Sequence, residues 1–421
     1  MALPDDDMPR RAYLRRLVAA GPAAALAACV EAPASSGATP TGDPERRPAR
    51  QHAWNDALPT DADGNHRPPE HHVLLALALT GEPDEGAREQ VEAALRSLER
   101  AYAYDVEGLL FTVSYTPAYF EAVGVESPVP DPKPLTSIES APDLDEFHAL
   151  VHLASDEPGV VLEAEAALLG EATEPNGVEM AADLTGVFER AAPRRTGFVG
   201  PELPVERAAD RGVDVPEELP EQAPFFMGFR SGFRESQAPE ERVTIQEGPY
   251  AGGTTIHVET LALNLRQWFG QNDHDLRVAE MFSPEHADEN RVGEIGERLG
   301  TSTGVWPDAA DRTATDASTR GVVGHAQKVA RARDDDGTPV LLRRDVNTLD
   351  GDRPGVHFVA HQRHIAAFVR ARQAMAGADL DGVGQRLNNG LLQYIFVQRR
   401  GNFLAPPREL RALPHITHTT A

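Results

Sequence analysis

The sequence contains very little cysteine and lysine and has no long apolar run. Its 421 residues include a single cysteine, Cys29, which excludes an internal disulfide, a cysteine-based zinc cluster and an iron–sulfur site. Lysine occurs only at Lys133 and Lys328. The formal net charge of −26 argues against nucleic acid as a partner, because phosphate binding requires a basic face. An acidic surface with so little lysine indicates adaptation to high salt, where the repulsion between carboxylates is screened.

The N-terminus has the features of an export signal. Arg10 and Arg11 are followed by a tyrosine, a leucine and the weakly apolar run 17–28, which resembles a twin-arginine signal and is too short to span a bilayer. Cys29 follows Leu-Ala-Ala, a sequence that resembles a lipobox. We therefore expect residues 1–29 to act as a signal and Cys29 to carry a lipid. The protein would then be anchored at the extracellular face of the cell membrane.

The periodicity of apolar residues predicts the same order of elements in both halves of the chain. Strands are expected at 72–80, 109–115 and 147–154 in the first half, and at 254–261, 356–361 and 394–397 in the second. Helices are expected around the apolar stripe Val91, Ala94, Leu95, Leu98 and Ala101, over 158–169, through Trp268, and over 362–375. The length of the chain suits two domains.

This order predicts an α+β fold made of two ferredoxin-like domains. We expect the first at 71–225 and the second at 226–410. Residues 30–70 are rich in small and polar residues without periodicity, which predicts a flexible tether. Residues 411–421 are expected to form a polar tail, and 270–340 is expected to be loop and irregular helix.

Five short motifs in the second half carry a resemblance to a known family. They are Phe226-Met227-Gly228-Phe229-Arg230-Ser231-Gly232, Gly252-Gly253-Thr254, Gly324-His325, Leu341-Leu342-Arg343-Arg344 and Asn402-Phe403-Leu404-Ala405-Pro406. In this order and spacing they resemble the dye-decolourising (Dyp-type) haem peroxidases, especially the exported, deferrochelatase-like branch. No single motif is specific, but the ordered set is fairly specific. The resemblance covers roughly residues 70–410.

The resemblance implies two ferredoxin-like domains in a dimeric α+β barrel-like arrangement, with haem b in the C-terminal half. It implies that His325 is the axial ligand of the haem iron, that Gly228 belongs to the haem-binding motif, and that Arg343 is the distal arginine. A neutral imidazole can ligate iron, and a fixed guanidinium can stabilise the charge that develops as the O–O bond of peroxide breaks. The implied partners are hydrogen peroxide and an organic or metal-ion reductant, with homo-oligomerisation left open.

One departure from the family pattern concerns the distal acid. The family has Gly-x-x-Asp-Gly, whereas Ser231 stands here at the position of the aspartate, and serine does not shuttle protons as a carboxylate does. Ala326-Gln327-Lys328, directly after His325, are also altered. Either Arg343 and water suffice, or Glu235 or Asp345 supplies the carboxylate, or the chain binds haem without efficient turnover. The alternatives to a peroxidase are an exported haem- or iron-binding lipoprotein on the same fold and a catalytically empty binding scaffold.

The remaining histidines and aspartates give weaker predictions. His357, His361 and His364 have the spacing of a metal-binding helix face. The first two nevertheless fall in a predicted strand, where period two places them on one face and His364 elsewhere. We therefore expect core or pocket histidines, with His361 as a candidate for the haem pocket. For the carboxylate behind His325, the candidates are Asp379 and Asp381. In the tail, His415 and His418 are expected to be solvated.

Overall fold

The computed structural model describes residues 39–135 and 141–415. Arg10, Arg11, Cys29 and His418 lie outside these described residues, so the predicted export signal and lipidation stay predictions. Within the described ranges no helix is both long enough and apolar enough to cross a membrane.

The strands of the described ranges form one sheet that closes into an antiparallel barrel. They are β1 His71–Leu79, β2 Leu110–Tyr115, β3 Asp143–Leu144, β4 Ala149–Ser155, β5 Phe188–Arg190, β6 Arg195–Phe198, β7 Thr254–Leu263, β8 Leu342–Arg343, β9 Val346–Thr348, β10 Gly355–Gln362 and β11 Ile395–Ala405. The order around the barrel is β2-β4-β1-β6 and then β9-β10-β7-β11, and β11 pairs back with β2. Each ferredoxin-like half therefore supplies one four-stranded arc, which confirms the predicted fold class.

The helices lie outside the barrel or in the connections between strands. They are α1 Glu85–Ala101, α2 Pro117–Ala122, α3 Pro158–Leu168, α4 Leu203–Arg211, α5 Glu240–Val243, α6 Leu265–Gln271, α7 His274–Met281, α8 Pro284–Asp288, α9 Asp308–Asp311, α10 Thr313–Arg320, α11 His325–Ala330 and α12 Ile365–Ala376. The predicted apolar stripe of α1 is buried, and the Asp84 side chain caps that helix by accepting a hydrogen bond from the Ala87 amide at 2.8 Å.

The last strand is longer than the sequence predicts. A strand is expected over 394–397, but β11 continues to Ala405 after a bulge between Val397 and Arg399. Because Arg399 and Arg400 are charged, the apolar pattern ends before them and the sequence does not predict this continuation. In the fold, the Arg400 guanidinium binds the buried carboxylate of Glu259 (Nε–Oε1 2.8 Å). The predicted helix over 362–375 also begins later, at Ile365, because residue 362 still pairs in β10.

The prediction of a flexible tether over 30–70 is wrong for the part that the structure describes. Arg47, Gln51, His52 and Trp54 are buried. The Gln51 side chain accepts a hydrogen bond from the Val113 amide at 2.9 Å and donates one to the Val113 carbonyl at 3.1 Å. Its amide group therefore makes the same pair of hydrogen bonds to β2 that a neighbouring strand would make. Polar side chains that are satisfied by specific bonds leave no apolar periodicity in the sequence, and the segment therefore resembles a linker.

The predicted tail also packs against the folded body up to residue 414. Arg411 is buried and forms ion pairs with Glu92 (3.1 Å) and Glu99 (2.5 Å) on α1. His415 is exposed, as expected, and its ring contacts those of Tyr250 and Phe120.

The barrel interior is apolar in the middle and rich in histidine elsewhere. Its apolar cluster draws on strands from opposite sides of the barrel, with Leu74, Ala76, Phe147, Leu150, Ile256, Val258, Val359, Phe403 and Ala405. His72, His152, His357 and His361 share these inward faces by the period-two alternation of their strands and are buried. His72 and His152 share a hydrogen bond of 2.9 Å, whereas neither ring nitrogen of His361 has a partner among the described residues.

The buried imidazoles of His52, His72 and His361 are held neutral. Burial lowers the pKa of His72 to about 4 and that of His52 to about 3, and it lowers the pKa of His361 well below the ordinary value, helped by the nearby charge of Arg344. In the unfolded chain each imidazole titrates near pH 6.5. As the pH falls, protons bind to these imidazoles in the unfolded state before they bind in the folded state. The free energy of unfolding therefore decreases below about pH 6.5.

We expect the substitution His361→Leu to weaken the acid sensitivity of folding. Between pH 7.5 and pH 5, one buried neutral histidine lowers the free energy of unfolding by up to about 2 kcal/mol. Each pH unit below 6.5 contributes about 1.4 kcal/mol. Denaturant unfolding at both pH values, in the same high salt, measures the difference. The exposed His364 provides the control, as His364→Gln should keep the wild-type pH dependence. An equal loss of stability in the His361→Leu variant and in the wild type would contradict the argument.

Candidate functional site

A cavity of about 250 Å³ lies against the outer face of the second barrel half. The outward side chains of β7 and β10, including Leu261 and Phe358, line this cavity together with residues of α11 and α12. His325, Arg343 and Ser231 all line this cavity. The fold thus brings together three residues that lie far apart in the sequence.

Two glycines fix the position of His325, the first residue of α11. A Cβ on Gly324 would lie 1.8 Å from the Phe282 carbonyl oxygen, so only glycine fits the N-cap. Gly390 has a positive φ of 60° and packs against the backbone of His325, where a Cβ would lie 2.9 Å from its amide nitrogen. The short helix α11 is therefore held closely by the chain around it.

The His325 imidazole is neutral and unusually free of partners. Its Nδ1 is buried and has no hydrogen-bond partner among the described residues, which leaves Nε2 for the cavity. Burial, followed by the charges of Lys328, Arg343 and Arg372, lowers the pKa of His325 to about 3. A neutral ring with an available lone pair is the form that binds iron, so this residue fits the haem ligation that the sequence resemblance implies.

Arg343 and Asp345 lie together in the cavity wall. Arg343 is held by Gln237, whose side chain accepts from the Arg343 amide at 2.9 Å and donates to its carbonyl at 3.1 Å. The Arg343 guanidinium lies 3.3 Å (Nη1–Oδ2) from Asp345, and the other carboxylate oxygen of Asp345 accepts from the Val359 amide at 3.3 Å. Burial raises the pKa of Asp345 to about 6 against the opposing charge of Arg343.

The other carboxylate of the wall has the opposite character. Glu259 also lines the cavity, and its burial alone would raise its pKa. The His257 ring, with Nε2 3.4 Å from Oε1 of Glu259, and the charges of Arg372 and Arg400 nevertheless lower that pKa to about 2. Of these two acids, only Asp345 can exchange a proton near neutral pH.

Only some residues of the Phe226–Gly232 motif line the cavity. Ser231 is exposed and lines the cavity. Gly228, with a φ of +87°, forms a turn behind the wall, where a Cβ would lie 3.4 Å from the Phe269 ring, and it is outside the lining. Glu235 is exposed and accepts a hydrogen bond from the Thr301 hydroxyl at 2.7 Å, also away from the cavity.

A second cavity of about 560 Å³ adjoins the first and shares Ser231, Arg343 and Asp345 with it. Its outer wall includes Trp54 and His66. These residues belong to the segment that the sequence presents as a tether, so that segment helps to shape the approach to Arg343.

Sequence reasoning missed a buried cation next to His325. The Lys328 ammonium donates to the Met375 carbonyl (2.6 Å) and to the carbonyl (2.9 Å) and side-chain oxygen (2.6 Å) of Asn389. Burial lowers the pKa of Lys328 to about 7. One signal was available in the sequence: this is one of only two lysines, and it follows His325 at helical spacing.

Three secondary predictions are wrong. Asp379 pairs with Arg331 at 2.7 Å with most of its side chain exposed, and Asp381 is also exposed, so neither supports His325. His361 faces the barrel interior, on the side of β10 away from the cavity. The described residues contain no cluster of three or more histidine, cysteine or acidic side chains that could hold a metal ion.

Known structures share this fold. A dye-decolorizing protein from V. cholerae is 13% identical with a TM-score of 0.53, covering 85% of this chain and 98% of that one. A dye-decolorizing peroxidase from Bacteroides thetaiotaomicron VPI-5482 is 14% identical with a TM-score of 0.52 and the same coverage of 85% and 98%. A DypB variant from Rhodococcus jostii RHA1 in complex with heme is 12% identical with a TM-score of 0.53, covering 86% and 99%. At these identities the likeness establishes a Dyp-type fold.

Comparison at the level of sequence places the chain in a family. No protein with a curated description matches it. The model of a family of unknown function, DUF7405, matches residues 69–407, which is most of the chain. The protein is therefore a member of the DUF7405 family.

Proposed function

We propose that this protein binds haem b in the cavity beside His325 and uses hydrogen peroxide to oxidise an organic or metal-ion reductant. The observation that carries the proposal is the buried, neutral His325 imidazole, whose Nδ1 has no partner among the described residues, in one cavity with the Arg343–Asp345 pair. A histidine ligand on one side and an arginine with a titratable carboxylate on another are the groups that peroxide chemistry at haem requires.

The lining of the cavity suits a large, flat, mostly apolar group with anionic substituents. Apolar side chains such as Phe282, Leu391 and Ile395 provide the contact surface. Arg333 and Arg372 lie in the same wall and are the candidates to pair with the carboxylates of haem. His325 would ligate the iron. When bound, the haem supplies the electrons for peroxide reduction and later recovers them from the reductant.

The chain's own residues would manage charge and protons. The Arg343 guanidinium, held in place by Gln237, stabilises negative charge that develops on peroxide oxygen. Asp345 accepts the proton of peroxide and returns it to the leaving oxygen, since its pKa of about 6 lies near neutral pH. In this proposal Asp345, rather than the exposed Glu235, replaces the aspartate that the family pattern has at Ser231. The chain would thus be a branch that diverges in its distal acid.

The alternative is an exported haem- or iron-binding protein without efficient turnover. The observation in its favour is Ser231, which lines the cavity where the family pattern has a carboxylate. A protein of this kind would retain the haem ligand and would react slowly with peroxide, whatever residue stands at position 345.

The first prediction concerns haem binding. Protein produced with haem available should show a Soret band, and His325→Ala should abolish it or shift it strongly, because the iron loses its protein ligand. His364→Ala, at an exposed histidine, should keep the wild-type spectrum. Titration of purified apoprotein with haem measures both. A correctly folded wild-type protein without a Soret band would reject both haem proposals.

The second prediction separates a peroxidase from a haem carrier. Stopped-flow mixing of the haem-loaded protein with peroxide should show a fast spectral change that Arg343→Leu slows by about 10²–10³ and Asp345→Asn by about 10²–10⁴. The wild-type rate should fall as the pH drops through about 6, because protonated Asp345 cannot accept a proton, and Asp345→Asn should lose this dependence. Glu235→Gln, at a carboxylate outside the cavity, is the matched control. A uniformly slow reaction in all four proteins favours the carrier.

The third prediction concerns localisation. We propose that the protein leaves the cell by the twin-arginine route, directed by Arg10 and Arg11, and is lipidated at Cys29. Membrane-fraction protein should incorporate a labelled fatty acid or prenyl-type lipid precursor. Cys29→Ser should release it into the medium, and Arg10→Lys/Arg11→Lys should retain it in the cell. Recovery of the Cys29→Ser variant in the membrane fraction at the wild-type level would reject the anchor.

A further inference from the structure

The chain has placed one of its two lysines in a buried position near the proposed iron ligand. Lys133 is exposed, whereas Lys328 has no measurable exposure. All three acceptors around the Lys328 ammonium are uncharged oxygens, two of Asn389 and one of Met375. Three acceptors match the three protons of an ammonium group, so these hydrogen bonds favour the charged form, although burial lowers the pKa of Lys328.

Lys328 lies one helical turn after His325 in α11, where side chains three positions apart are neighbours. Of the charges that act on the His325 imidazole, that of Lys328 is the strongest, and Arg343 and Arg372 add to it with the same sign. The Nδ1 of His325 has no carboxylate to balance them among the described residues. The three charges that lower the pKa of the proposed ligand are thus all positive.

The environment of a histidine ligand controls the iron through the imidazole. A carboxylate that accepts a hydrogen bond from the second ring nitrogen makes the imidazole a stronger donor and stabilises ferric iron. A neutral imidazole without that partner is a weaker donor. A nearby cation in a buried site further favours the iron state with the lower positive charge, because the repulsion is poorly screened there.

We propose that Lys328 is a positioning residue that tunes His325 electrostatically and raises the reduction potential of the bound haem iron, favouring its ferrous state. This inference rests on the proposed haem binding but not on peroxidase turnover. It assigns to the altered sequence after His325 a function in the redox balance of the site. A purely structural role, in which Lys328 only fastens α11 to the end of α12, would leave the potential unchanged.

The substitution Lys328→Gln tests the charge separately from the hydrogen bonds. Glutamine keeps amide N–H donors for Met375 and Asn389 but carries no charge. Spectroelectrochemical titration at pH 6, below the pKa of about 7 for Lys328, should show the ferric-to-ferrous equilibrium constant falling at least tenfold, which is about 59 mV for a one-electron couple. Lys133→Gln, at the only other lysine, should match the wild type.

A second measurement does not depend on the folding of a variant. The iron–histidine stretching frequency of the ferrous wild-type protein should be low, as expected for a neutral imidazole without a carboxylate partner. A high frequency, typical of an imidazole with anionic character, overturns the proposal. An intact Soret band with an unchanged potential in Lys328→Gln also overturns it while leaving haem binding standing. A wild-type protein that binds no haem overturns both proposals.

Discussion

The pairing of β8 with β10 determines on which side of the barrel wall Arg343, Arg344 and Asp345 lie. Strand residues alternate between the two faces of a sheet, so the neighbouring Arg343 and Arg344 point to opposite sides of the barrel wall. Arg343 enters the proposed haem cavity, and Arg344 is buried in the interior. Ala360 lies opposite Arg343 in this pairing, and this register determines which of the two arginines faces the cavity. A slip of one residue would exchange the two arginines and would turn Asp345 away from the cavity.

The buried Arg344 needs partners inside the barrel, and the N-terminal segment supplies two of the three. The Arg344 guanidinium stacks on the Trp54 ring at 4.1 Å and donates to the His52 carbonyl at 2.8 Å, with Glu240 at 3.5 Å. Leaving such a charge unpaired would cost several kcal/mol. The segment from residue 39 onward is therefore part of the barrel's structure, and the same Trp54 lines the cavity that leads to Arg343.

The sequence predicts well whatever depends on local pattern. Buried strands and the stripe of α1 appear as apolar runs and helical spacing, and the ordered motifs indicate His325 and Arg343. Local pattern does not predict the environment of a residue when that environment is formed by segments distant in the sequence. The burial of Asp345 depends on strand pairing, and that of Lys328 depends on Met375 and Asn389. The sequence does not predict the continuation of β11, because Arg400 is charged and its partner Glu259 lies far away in the sequence.

Under the proposed function, the balance of charge in the cavity links the residues at which this chain would depart from the Dyp-type pattern. In the proposed site Ser231 would stand where the resembled pattern has a carboxylate, Lys328 lies one helical turn after the proposed ligand, and Glu259 is paired with Arg400. Asp345 is then the wall carboxylate whose protonation can change near neutral pH. In a chain with a net charge of −26, a cavity wall that carries Arg333, Arg343 and Arg372 would attract anionic ligands and, with haem bound as proposed, would favour reduced iron. On this proposal Ser231 and Lys328 both make the site more positive, so a comparison of its chemistry with that of Dyp-type proteins should change both positions together.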